Sequence, residues 1–297
     1  MAHVRPAPTE TEEIIMPLVK VSDLLCHATE HHYGVAAINT FNFETVKWAI
    51  QAAELEKSPI IVQLYPGYEF HVDPAYIAYM AKDLAQKASV PVGVHLDHSA
   101  GYDIAVKGIK NGFPSVMIDG SLLPFEENIS VTARVAEAAR VFGVDVEAEL
   151  GHVGVGSNVD DITNADRYTD PAQAAEFIKR TGCGSLAVAV GNAHGPYAQQ
   201  PALDFERIKT LRAIATVPLV MHGSSGIPDD QMQRAVSLGM SKFNIATEYF
   251  RAVAAAMQDS FANGENDAAN LFFKLGDRVT DFVRGKIRLL NPNEISL

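Results

Sequence analysis

Eight short runs of strand-forming residues recur along the chain, and each is followed by a stretch suited to a helix or a loop. The runs are "GVAAIN" (34–39), "PIIVQLY" (59–65), "PVGVHLD" (91–97), "SVMIDGS" (115–121), "VDVEAELG" (144–151), "SLAVAVG" (185–191), "PLVMHG" (218–223) and "KFNIAT" (242–247). Between them lie helical stretches such as "FETVKWAIQAAELEK" (43–57), "PAYIAYMAKDLAQKA" (74–88) and "PFEENISVTARVAEAARVFG" (124–143). In the last, Ile129, Ala133, Ala136 and Arg140 follow three-to-four spacing, with acids early and arginines late as the helix dipole favours. "DPAQAAEFIKRTG" (170–182) opens on an aspartate cap with proline in the first turn and closes at a glycine. Eight alternations within 297 residues predict an α/β chain folded as one (β/α)8 TIM barrel over residues 17–297, preceded by a tail over 1–16. An open dinucleotide-binding sheet fits less well, because the first strand–helix turn has no Gly-rich loop.

Composition narrows the function. The chain is 47% hydrophobic and 20% charged, enough apolar material for a sizeable core. A net charge of −12, with no run of lysine and arginine, argues against nucleic acid as a partner. Any anionic substrate must then be met by local dipoles, a metal or a few basic side chains. Two cysteines, Cys26 and Cys183, exclude a disulfide framework and a cysteine-rich zinc site, and suggest a reducing, cytoplasmic setting. No apolar run approaches the roughly 18 residues of a membrane span. The first residues lack the pattern of a secretory signal.

In such barrels the active site gathers at the C-terminal ends of the strands. There this chain carries Asp97 and His98 on the third strand, Asp119 on the fourth and Glu149 on the fifth. His194 follows the sixth and His222 ends the seventh. One such residue is unremarkable; five strand ends delivering them to one rim predict a site. His98, His194 and His222 could converge on a zinc ion with an open position, although their spacing matches no local metal motif. His95 should face the same side as Asp97 but deeper, as a structural residue, while His27, His31, His32 and His71 fall away from the strand ends. The "HGSSG" and "NIAT" segments read either as tight turns or as a phosphate cradle of backbone N–H groups and small hydroxyls.

With "HLDH", "SVMIDGSLLPFEENI", "VEAELG", "GNAHGPY", "LVMHGSSGIP" and "KFNIATE", the sequence resembles the class II, metal-dependent fructose- and tagatose-bisphosphate aldolase family. The likeness runs from about Val19 to Leu290 and is nearest the shorter, tagatose-type branch. It implies a lyase that splits a ketose bisphosphate into dihydroxyacetone phosphate and an aldehyde. It implies zinc on His98, His194 and His222, with Asp119 and Glu149 as further metal-site carboxylates and room for a second metal or monovalent cation. It implies Asp97 as the acid/base. Asn39, Gly195, Gly223, Ser224, Ser225, Asn244, Ile245, Ala246 and Thr247 would bind the phosphorylated sugar. A homodimer or homotetramer is implied as well.

The chemistry suits these residue types. Breaking a ketose between C3 and C4 leaves a carbanion that needs an electron sink, and no strand ends in a Schiff-base lysine; Lys242 opens the eighth strand, at the wrong end. Three departures from the family stand out. The loop "GHVGVGSNVDD" has Ser157 near the position of the family's second acid, with Asp160 or Asp161 shifted along. Tyr65 ends the second strand where many members carry a small residue. No arginine aligns for a distal phosphate, leaving Lys274, Arg278 and Arg251 as candidates. A metal hydrolase barrel is disfavoured because "AAINTFN" has no histidine pair; the alternatives are an aldolase of the same class acting on another ketose phosphate or a sugar-acid phosphate, and a metal-binding relative without turnover.

Overall fold

The computed structural model describes residues 17–297; the tail expected over 1–16 lies outside the described residues. Eight parallel strands close into a barrel in sequence order. They are β1 (Val35–Asn39), β2 (Ile60–Leu64), β3 (Val92–Ser99), β4 (Ser115–Ile118), β5 (Asp145–Leu150), β6 (Ser185–Val188), β7 (Leu219–Met221) and β8 (Met240–Ile245). The helices are α1 (Val21–Glu30), α2 (Phe43–Leu55), α3 (Pro74–Lys87), α4 (Tyr102–Lys110), α5 (Phe125–Phe142), α6 (Val159–Thr163), α7 (Pro171–Thr181), α8 (Phe205–Ile214), α9 (Asp229–Ser237), α10 (Thr247–Ala262) and α11 (Ala268–Leu290).

Every predicted strand exists, but several end earlier than the sequence suggests. β4 stops at Ile118 and β6 at Val188, because the next residues leave the ladder for the loops of the rim. After β6 the turn is closed by Asn192, whose side chain accepts from Val190 N and donates to the His222 carbonyl. β8 begins at Met240, so Lys242 lies inside the strand instead of opening it. Helix ends follow their caps: Asn42 with Thr45 forms a capping box before α2, and Asp73 and Asp170 cap the prolines that start α3 and α7. In α5 the buried stripe includes Ile129, Thr132, Val135, Ala136 and Ala139. Arg140 is exposed, so the predicted stripe was right at Ile129 and Ala136 and one step off at its end.

The two faces of the strands do different jobs. Ile38, Val62, Val94, Leu96, Val116, Ile118 and Leu186 point outward into the layer packed against the helices. Each such fully buried side chain contributes about 1.5–3 kcal/mol. At the foot of the barrel, Val35, Ala37, Ile61, Ala187 and Val220 meet Leu24 and Leu25 of α1, forming an apolar plug. Above that plug the interior turns polar, with Gln63, His95, Asp97, Glu147, Glu149, Lys242 and Asn244 all buried. A barrel that buries so many polar groups needs a use for them, since each unpaired one costs a few kcal/mol.

Candidate active site

Asp97 and His98 are neighbours on one strand, so regular pleating would send them to opposite faces. The structure resolves this with an irregularity in the β3–β4 register between Leu96 and Ser99. His98 sits at φ +30°, a conformation that costs a non-glycine residue on the order of 1–3 kcal/mol. Both side chains consequently border the same cavity at the strand ends. The cavity, about 430 Å³, also takes in Asn39, Asp119, His194, Gly195, Gly223, Ser225, Asn244, Ala246 and Thr247.

His98, His194, His222 and Glu149 each offer one donor atom, and those atoms lie within 4.8 Å of one another. The rings crowd together, with centroids 4.5 Å apart for His98–His222 and 4.7 Å for His98–His194. His98 Nε2 is buried with no hydrogen-bond partner, and His222 Nδ1 and Glu149 Oε2, also buried, face only each other at 3.2 Å. Buried groups so placed are costly unless something fills the gap between them, and three imidazoles with one carboxylate fit a divalent metal ion. Asp119 does not join the four. Its Oδ2 lies 3.1 Å from His98 Nδ1 and its Oδ1 accepts from Ser121 N and Oγ, so it stands behind the imidazole and fixes its orientation.

A second carboxylate supports the cluster from below, and the sequence reading had passed over it. Glu147 Oε1 is 2.8 Å from His222 Nε2, and its Oε2 accepts from Lys242 Nζ at 2.8 Å. His95 Nε2 is 3.9 Å from the same oxygen, while its Nδ1 meets Ser115 Oγ at 2.7 Å. Burial and the Lys242 ammonium push the His95 imidazole down to about 3, which keeps it neutral and structural. Burial also opposes a charged His222, but Glu147 and Glu149 outweigh it and raise that group to about 10. His194 is lowered to about 3, first by burial and then by His98 and His222, and is neutral as a ligand must be. Glu147 stands two residues before Glu149, on the same side of β5, and that period of two was the signal available for finding it.

Asp97 is wholly buried and held by two carboxamides. Asn39 Nδ2 donates to Oδ2 at 2.8 Å and Asn244 Nδ2 to Oδ1 at 3.2 Å. Gln63 Nε2 in turn donates to Asn39 Oδ1, which fixes which way that carboxamide faces. Burial alone would favour the neutral acid, but the surrounding His98, His222 and Lys242 hold Asp97 below the usual carboxylate range.

The cradle predicted from "HGSSG" and "NIAT" is partly as expected. Gly223 has φ +59°, and a Cβ there would stand 2.0 Å from the Ala193 carbonyl oxygen. Ser225 Oγ accepts from Glu248 N and, with Thr247 and Ala246, places the first turn of α10 at the cavity. Backbone N–H groups there suit an anion. Ser224 and Ile245 differ from expectation. The Ser224 hydroxyl is buried and donates to the Met221 carbonyl, and its N–H is taken by the Asn244 carbonyl. The Ile245 side chain belongs to the outer core.

On the opposite wall stand Tyr65, Tyr68, Ala100 and Leu122. Among the described residues lining the cavity there is no lysine or arginine. Lys274 pairs with Glu265 and Arg278 with Asp259, and Arg251 borders a neighbouring groove. In the loop after β5, neither aspartate reaches the cavity. Asp161 is buried against Val155 N and Arg167, and Asp160 is an exposed partner of the same Arg167. Ser157 is exposed and also off the wall. The loop is pinned to His194 by two backbone bonds, His194 N to Gly154 O at 2.8 Å and Gly156 N to His194 O at 2.7 Å. Its contribution to the wall is His152 with Val153. His27, His31 and His71 take no part; the first two stack on each other on and beside α1, at the other end of the barrel.

Comparison with known proteins identifies the family. A sequence model described as class-II fructose-bisphosphate aldolase matches residues 19–294. The fructose-bisphosphate aldolase of Geobacillus stearothermophilus is 39% identical over 278 residues, covering 92% of this chain and 96% of that protein. The Escherichia coli protein YdjI is 43% identical over 233 residues, 78% of this chain and 84% of its own. The crystal structure of the YdjI aldolase superposes with a TM-score of 0.83 at 38% identity, covering 92% of this chain and 97% of that one. The chain therefore belongs to the class-II fructose-bisphosphate aldolase family of metal-dependent lyases.

Proposed function

We propose that the protein is a zinc-dependent aldolase that reversibly cleaves a ketose 1-phosphate skeleton between C3 and C4, releasing dihydroxyacetone phosphate and an aldehyde. The observation that carries this reading is the shared cavity. Asp97, the cradle of Gly223, Ser225 and Thr247, and His98 and His194 of the four-donor cluster all border it, with His222 and Glu149 buried within 4.8 Å of those two donors. His98, His194 and His222, with Glu149 beside them, would hold the ion, which when bound supplies a Lewis acid for the C2 carbonyl. The cradle would fix the donor phosphate through N–H dipoles and hydroxyls, with no need for a cationic side chain. Asp97, a carboxylate in the resting protein, accepts the C4 hydroxyl proton in cleavage and returns it in condensation. Asn39 and Asn244 hold that carboxylate in place while leaving it reactive. Fructose or tagatose 1,6-bisphosphate is the default substrate. Release of dihydroxyacetone phosphate from each, followed before and after chelation, tests the assignment; no release from any ketose phosphate would refute it.

A second observation bears on the aldehyde half. A phosphate at the far end of the sugar would have to be desolvated and fixed by cations. The cavity wall there is tyrosine, alanine and leucine. This favours an aldehyde product whose terminal phosphate is weakly held or absent. The reading also includes a homodimer or homotetramer working in the cytoplasm, supported by the family resemblance and by Tyr76 and Tyr79 exposed on α3. Light scattering of the purified protein tests the assembly, and a monomer would exclude it.

A further inference from the structure

Aldol cleavage needs two proton movements, and Asp97 accounts for one. When the C3–C4 bond breaks, its electron pair passes to C3, and that carbon must take a proton before dihydroxyacetone phosphate is complete. Among the described residues, the titratable groups bordering the cavity are Asp97, His98, Asp119, His152, His194 and two tyrosines, Tyr65 and Tyr68. His98 and His194 face the ion cluster, and Asp119 is occupied by His98 and Ser121. A tyrosine hydroxyl is a poor source of a proton near neutral pH, whereas an imidazole both gives and regains one there.

We propose that His152 is a catalytic residue, the group that delivers a proton to C3 in cleavage and removes it in condensation; the assignment rests on the aldol reading above. His152 stands on the loop after β5, anchored by its backbone N–H to the Arg167 carbonyl at 2.8 Å. Its Nε2 lies 3.8 Å from Asp161 Oδ1, and its Nδ1 is buried with no protein partner. Asp161 is itself immobilised by Val155 N and Arg167, and a Cβ on Gly154 would overlap it at 2.3 Å. A fixed, buried carboxylate this close to an imidazole limits how the ring can turn. Asp161 thus stands beside the His152 ring, whereas Asp160 is turned to Arg167. In the full step the C4 hydroxyl proton goes to Asp97 as C4 becomes the aldehyde carbon. The C3 electron pair is carried as an enediolate, and the His152 imidazolium proton closes the C3–H bond.

The test separates C–C cleavage from protonation, using zinc-loaded wild type and His152→Gln. In D2O, wild type should exchange deuterium into the hydroxymethyl carbon of dihydroxyacetone phosphate, and the variant should do so at least about a hundredfold more slowly, as for loss of a positioned acid/base. With fructose 1,6-bisphosphate and hexacyanoferrate(III), which oxidises the carbanion as it forms, the variant should keep cleaving at a rate near wild type, with full zinc content. Exchange within about threefold of wild type would overturn the role of His152. So would loss of the oxidation signal alongside exchange in a variant that retains zinc, because His152 would then act before the carbanion forms. His152→Asn, read by the same two assays, guards against a fold defect in one variant. Wild type that exchanges no deuterium would sink the aldol reading itself, an outcome distinct from these.

Discussion

Two carboxylates in the barrel interior, Asp97 and Glu147, are both kept ionised by nearby cations yet have different surroundings. Asp97 is held by carboxamides, which can release it to a substrate hydroxyl; Glu147 is locked between Lys242 and His222. Asp97→Asn should therefore retain zinc and dihydroxyacetone phosphate binding while kcat falls by about 10²–10⁴. A fall of less than about tenfold in steady-state cleavage would move the proton transfer to another group. Glu147→Gln should weaken zinc binding by roughly 10–100-fold, the usual effect of losing the partner behind a ligating histidine. Competition with a chromophoric chelator measures this, and unchanged affinity would reduce Glu147 to a counter-ion for Lys242. The sequence made Asp97 and the three histidines conspicuous because each sits at a strand end beside other polar residues. Glu147 and Lys242 were hidden, because an ion pair inside the barrel looks, in one dimension, like two charges on unrelated strands.

At the scale of elements, strand–helix alternation was fully legible, since apolar periodicity and caps such as Asn42, Asp73 and Asp170 are local properties. The irregularity that turns both Asp97 and His98 toward the cavity was not. It arises from a mismatch between β3 and β4, and nothing in "HLDHS" alone specifies φ +30° at His98. The cradle was half legible. Glycine at 223 signalled a tight approach, but which serine borders the cavity depends on where the Met221 and Asn244 carbonyls stand: the Ser224 hydroxyl turns to Met221, and Ser225 is on the wall. Gly223→Ala combines an overlap at 2.0 Å with a left-handed backbone, so the Gly223–Ala193 contact must open. We expect a loss of about 1–3 kcal/mol in urea unfolding together with weakened dihydroxyacetone phosphate binding. Unchanged stability would mean that the loop after β7 adapts freely and does not form a fixed cradle.

The whole molecule carries a net charge of −12 and meets its anionic substrate in a cavity without lysine or arginine among the described lining residues. Discrimination for a distal phosphate should then be small, by about 1–2 kcal/mol, the lower range for a charged hydrogen bond. The comparison of kcat/KM for a ketose 1,6-bisphosphate and the matching 1-phosphate measures it; a preference of about a thousandfold, roughly 4 kcal/mol, would reveal a clamp supplied from elsewhere in the assembly. Metal uptake should also be coupled to protons. His222, raised to about 10 between Glu147 and Glu149, is protonated in the metal-free protein at pH 8 and must lose that proton to coordinate. Calorimetry in buffers of different ionisation enthalpy should show proton release on zinc binding, and none released would exclude His222 as a ligand that is charged beforehand. The most direct test of the central claim is dihydroxyacetone phosphate release from a ketose phosphate by wild type and by His98→Ala, His194→Ala and His222→Ala, with bound zinc measured in each. The account predicts that chelation abolishes release, that zinc restores it in wild type alone, and that each variant loses most of its metal. Undiminished release from fully metal-free protein, or full zinc occupancy in all three variants, would contradict it.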